Sequence, residues 1–114
     1  MSKRSEKLIV TDVASNIKSI LEFTEGMNYE TFSADLKTQY AVDRCFEIIG
    51  EATRQLPESF LNDHTEIEWQ KMIAFRNILI HEYFRVERKI QWNIIKNILP
   101  SLRSRLDSLL ASMK

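Results

Sequence analysis

The 114-residue chain has 44% apolar and 28% charged residues and zero formal net charge, the balance of one globular domain with one modest core. Its 2 glycines and 2 prolines are too few for the turns of an all-β fold, and its single cysteine excludes an intramolecular disulfide. No apolar run is long enough to cross a bilayer and no signal peptide opens the chain, so one domain over residues 1–114, cytoplasmic and without a membrane segment, is expected.

The elements read as helices in chain order. The first spans about Ser5 to Glu25, with Val10, Val13, Ala14, Ile17, Ile20 and Leu21 as its apolar stripe and Gly26 as its stop. Asn28 caps a short turn through Phe32. A long helix follows from about Ala34 to Leu56, its stripe made by Val42, Cys45, Ile48, Ile49, Ala52 and Leu56, with Phe46 widening it; Pro57 ends it. Cys45 falls on that stripe and reads as a buried thiol. Residues Pro57 to His64 form a connection with room for one short helical turn, and His64 reads as solvated.

Thr65 and Glu68 fit the capping-box pattern, so a helix is expected from there to about His81. A break at Glu82–Val86 precedes a last helix from near Glu87, carrying Ile90, Ile94, Ile95, Ile98 and Leu99. Pro100 should kink or restart it before Leu102, Leu106, Leu109 and Leu110. Four main helices imply an all-α, up-and-down four-helix bundle with short extra helices.

Charge is unevenly divided along the chain. Residues 1–70 hold 7 basic and 13 acidic side chains, a balance of −6, whereas residues 71–114 hold 9 and 3, a balance of +6. The second segment either offers a basic surface to phosphate or is neutralised by the first within the fold.

The segment richest in chemistry is Arg76-Asn77-Ile78-Leu79-Ile80-His81-Glu82-Tyr83. On an ideal helix at about 100° per residue, Arg76 falls inside the apolar arc of Trp69, Met72, Ile73, Leu79 and Ile80. A guanidinium there needs a carboxylate such as Glu47 or Glu51, an interface, or an open cleft. With Phe75 and Ile78 off the arc, the helix is apolar nearly all round, which implies cover from two sides, by its own bundle and by a second copy. His81 lies about 140° from Arg76, so the pair converges only if the helix bends or ends there, or if another subunit completes the site. Tyr83 returns to within about 20° of Arg76. Taken singly, an ion pair, a helix-end histidine and a packing tyrosine account for the same residues.

Arg-x4-His, with a polar residue after the arginine and a tyrosine two after the histidine, resembles the HEPN signature in its HepT-like form. The block Ala41-Val42-Asp43-Arg44-Cys45-Phe46-Glu47-Ile48-Ile49-Gly50-Glu51-Ala52, together with Trp69, Trp92 and Leu99-Pro100, extends the resemblance over about residues 8–110. It implies an HEPN-like helical bundle that pairs as a homodimer and a metal-independent endoribonuclease toxin without a cofactor. It also implies a minimal nucleotidyltransferase antitoxin that transfers AMP to the signature tyrosine. By that resemblance Arg76 and His81 are catalytic, Asn77 assists and Tyr83 is the AMP acceptor. Apart from the resemblance, Glu51 and Asp43 are candidate outer partners of Arg76, though acidic residues on helices usually line solvated faces.

Those groups suit RNA cleavage. RNA carries its own nucleophile, the 2′-hydroxyl; histidine moves protons near neutrality and arginine forks onto phosphate oxygens. Two histidines and one distant cysteine make no zinc pattern. Two other readings remain: a non-catalytic helical module partnering a nucleotidyltransferase, and a nucleotide-binding HEPN domain, for which the sequence offers no Gly-rich phosphate cradle.

Overall fold

The structure is a computed structural model. It describes residues 5–81 and 87–113, and for residues 78–81 the backbone alone. Its helices are α1 (Glu6–Phe23), α2 (Tyr29–Ala34), α3 (Leu36–Arg54), α4 (Glu58–Asp63), α5 (Trp69–His81), α6 (Arg88–Asn93) and α7 (Leu99–Ser112). A π-helical turn, Ile94–Ile98, joins α6 to α7. No helix among the described residues is long and apolar enough to cross a membrane.

The four long helices form the bundle, with α2, α4 and α6 as the short extra helices. α3 is its central bar, packing against both α1 and α5, while α7 packs against α1. The core between them holds Val10, Val13, Ile17, Ile20, Phe32, Val42, Ile49, Ile95 and Leu106, all nearly sealed from solvent. The α1 stripe is the expected one with Ile9 added and Leu21 half-buried. In α3 the expected stripe is buried except for Ile48, which is half-buried at the rim.

Local chemistry sets the helix ends. The Ser5 hydroxyl accepts from Leu8 N–H to open α1, and Gly26, at φ 77°, makes the turn after it. Asn28 caps α2 through a reciprocal capping box with Thr31, so the expected short turn is a real helix. Asp35 caps α3, accepting from Thr38 N–H at 3.0 Å.

The connection after Pro57 holds the short helical turn expected there, as α4, six residues that bury Phe60. Two expectations fail for identifiable reasons. The Thr65–Glu68 capping box does not form; α5 starts at Trp69 because the chain first turns to bury Ile67 and Trp69, whose indole N–H donates to the His64 carbonyl at 3.0 Å. His64 is therefore not solvated: it is half-buried, with its ring 4.5 Å from that of Phe60 and its Nδ1 3.8 Å from Glu66.

Pro100 restarts the last helix, as expected. It sits in the first turn of α7, and the π turn directly before it ends with Leu99 N–H bonded to the Ile94 carbonyl. The wider turn accommodates a ring that lacks an N–H and would collide with the carbonyl four residues back in an α-helix. It also re-phases the stripe: Ile95, Leu99, Leu102 and Leu106 face the core, while Ile90 and Ile98, expected inside, are exposed.

Candidate functional site

The site is organised where α5 crosses α3 at Gly50. A Cβ on Gly50 would overlap the Arg76 Cβ outright, would lie 2.7 Å from its Cγ, and would come 3.1 Å from the Met72 carbonyl. Only glycine lets the stem of Arg76 lie directly on the α3 backbone. The arginine side chain is thereby fixed, with 15% of its surface exposed.

Its guanidinium reaches the next residue of α3. Arg76 Nη2 is 2.8 Å from Glu51 Oε2, and Nη1 donates to Asn77 Oδ1 at 3.0 Å. Nε is buried without a partner among the described residues. Asp12, Arg44, Glu47, Ile48, Ala52 and Gln55 join Arg76 and Glu51 around an open cleft of about 290 Å³. Within it Arg44 and Glu47 stand 4.0 Å apart. The arginine placed by helical periodicity inside the apolar arc thus meets both a carboxylate and a cleft.

Asn77 is adjacent to the guanidinium through that bond. The backbone of α5 is helical through His81; the ring of His81, like all of Tyr83 and the expected break at Glu82–Val86, lies outside the described residues. Of the three candidate acidic partners, Glu51 is on the arginine, Glu47 stands beside Arg44, and Asp43 is elsewhere. Asp43 is eight residues back along α3, which is about 12 Å of helix rise. There it takes Arg88 in two parallel bonds, at 2.6 and 2.9 Å, and accepts from Gln91 Nε2 at 2.8 Å. Arg88 also donates to Gln91 Oε1 at 2.8 Å. This closed, buried set ties α6 to α3; the sequence reading missed Arg88 and Gln91, which carry no motif.

Cys45 is buried, and burial pushes its thiol above the ordinary value, so it is a core residue rather than a nucleophile. No group of three His, Cys, Asp or Glu among the described residues is placed to hold a metal ion. A second, more apolar cleft of about 270 Å³ separates α5 from the π turn and α7, lined by Phe46, Met72, Phe75, Ile94, Ile98 and Leu102 among others.

A helical bundle whose α3 holds the arginine of an Arg-x4-His segment at an open cleft is of the HEPN class. The chain belongs to the HepT-like family, whose model, described as "Ribonuclease HepT-like", matches residues 13–109. Among its relatives, a protein of Thermococcus cleftensis named "Probable ribonuclease HepT" is 43% identical over 94% of this chain and 97% of its own. A candidate RNase of Methanocaldococcus jannaschii is 40% identical over 89% of this chain and 84% of its own. Another, of Caldanaerobacter subterraneus, is 35% identical over 83% and 85%. No solved structure matches the chain.

Proposed function

We propose that the protein is a metal-independent endoribonuclease, the toxin of a toxin–antitoxin pair, acting in the cytoplasm. Its reaction is attack of a 2′-hydroxyl on the adjacent phosphate to give a 2′,3′-cyclic phosphate and a free 5′-hydroxyl. Arg76 binds the phosphate and offsets charge in the transition state, Asn77 steadies the guanidinium, and His81 moves a proton. The observation that carries this reading is the Arg76 guanidinium, fixed by Gly50 and Glu51 at the rim of an open cleft. Its buried Nε has no acceptor among the described residues, which leaves room for one from a ligand.

Two copies of the chain form the working cleft. Ile73 and Phe75 of α5 are only half-buried in one chain, which supports cover by a second copy. Two Arg76 and two His81 then surround one phosphate, so one imidazole acts as base and the other as acid. A minimal nucleotidyltransferase antitoxin transfers AMP to Tyr83, placing a phosphate and an adenosine where RNA would bind.

Purified protein is incubated with total tRNA and with mRNA, and the new ends are analysed. Cleavage should yield 2′,3′-cyclic phosphates without added metal and resist EDTA, and Arg76→Ala and His81→Ala should each lower it at least about 100-fold. Parental activity in Arg76→Ala would remove the guanidinium from the reaction. Coexpression with a nucleotidyltransferase encoded beside it, followed by mass spectrometry of the Tyr83 peptide, tests the antitoxin assignment. An unmodified peptide in an inactive complex would reduce the antitoxin to a binder.

A further inference from the structure

We infer that Glu51 is a catalytic residue of the same site, the group that accepts the 2′-hydroxyl proton. The inference rests on the ribonuclease reading and changes one assignment in it: the base is Glu51 in place of the second His81.

Glu51 and Arg76 differ in one telling way. The arginine is held, with 15% of its side chain exposed, while its partner carboxylate is 55% exposed and opens into the cleft. A phosphate oxygen bonded to the same guanidinium would sit about 2.8 Å from its nitrogens, which puts it roughly 4–5 Å from the Glu51 oxygens. The 2′-oxygen of the ribose adjoins that phosphate, within reach of the carboxylate. The arrangement therefore presents a proton acceptor and a phosphate-binding cation from neighbouring helices.

The other groups in the cleft are less suited. Arg44 and Arg76 stay protonated, Asn77 has no basicity, and Glu47 lies beside Arg44. Asp12, on α1, faces the cleft from the far wall and has its own interaction. The groups facing Glu51 are thus Arg76 from α5, Asp12 from α1, and Arg44 and Glu47 from α3 itself.

The step balances simply. The carboxylate takes the proton of the 2′-hydroxyl, the 2′-oxygen bonds to phosphorus, and the bond from phosphorus to the 5′-oxygen breaks. His81 protonates that oxygen, and Glu51 releases its proton to water. One imidazole per site then suffices, because acid and base are different residues.

The test uses Glu51→Gln, Glu51→Asp and His81→Ala with two substrates: RNA, and the nucleoside 3′-aryl phosphodiesters, whose phenolate leaves without an acid. Glu51→Gln should lower kcat at least about 100-fold on both substrates and abolish the acidic limb of the pH profile. KM should not rise, because the variant removes an anion from the phosphate's surroundings. Glu51→Asp should keep the limb with reduced kcat, and His81→Ala should be rescued on the aryl ester. Circular dichroism checks that each variant is folded; should Glu51→Gln unfold, Glu51→Asp at unchanged kcat would overturn the proposal.

A Glu51→Gln enzyme within about threefold of the parent, one rescued by the aryl ester, or one that keeps the acidic limb would also overturn it. A folded parent that cleaves neither substrate would instead defeat the ribonuclease reading itself, and the role of Glu51 with it.

Discussion

Gly50 decides more about the site than any charged residue. Its hydrogen occupies the place where any other side chain would run into Arg76, so Gly50→Ala must push α5 away from α3. Overpacking of this kind costs about 1–3 kcal/mol, and here it also displaces the guanidinium. RNA cleavage should fall at least tenfold while the helical circular dichroism spectrum is kept; activity that survives a lowered melting temperature would show that the arginine tolerates displacement. The arginine itself was legible, because a charge inside an apolar arc requires a partner. Glu51 was one of three acidic partners weighed for it, and the choice between Glu47 and Glu51 turned on the crossing point of two helices, which no single-helix periodicity contains. Asp43 was misplaced for the same reason: it shares a helix with Glu51 but sits about 12 Å away along it.

Among the elements, α6 is held by one buried polar set rather than by an apolar stripe. Gln91 is fully buried, Asp43 is buried and Arg88 is 19% exposed, and among the described residues the three bond to one another. Arg88→Ala leaves the Asp43 charge buried and unpaired, which should destabilise the protein by about 3–5 kcal/mol in urea unfolding. Asp43→Leu combined with Arg88→Met should recover much of that loss, and a double variant as unstable as the single one would mean that the trio stabilises the native state outright. The start of α3 behaves differently. Hydrogen bonds from the Thr38 backbone and hydroxyl to Asp35 hold its carboxyl below the ordinary 3.8. A depressed folded value adds stability above pH 3.8 that is lost as pH falls through the folded value. The melting temperature should therefore drop on acidification to pH 3 by more in the parent than in Asp35→Asn, and equal drops would deny the cap its ionic part. The helices were readable from period and caps. The one misread start, α5, lies where burial of Ile67 and Trp69 overrode a local capping pattern, and the one misread interior, the π turn, depended on how the chain makes room for Pro100.

Across the whole molecule, part of the divided charge is neutralised within the fold. Arg76 and Arg88 of the basic second segment are answered by Glu51 and Asp43 of the acidic first, and Lys71 by Glu68 at 2.5 Å. Lys89, Lys96 and Arg105 stay exposed, so RNA binding centred on the Arg76 guanidinium and binding along a wider basic surface differ in the number of phosphates held. Each phosphate contact to a single strand contributes a slope of about −0.7 to the dependence of log affinity on log salt. Two copies of Arg76 in one cleft then predict a total slope between about −1 and −2. The measurement is fluorescence anisotropy of a labelled single-stranded RNA bound to inactive His81→Ala across a salt series. A slope near −4 or steeper would place several further lysines or arginines on the RNA, and the binding surface would then extend well beyond the cleft at Gly50. A shallow slope that flattens completely in Arg76→Ala would tie binding to that one guanidinium, and would explain how a chain of zero net charge engages a polyanion at all.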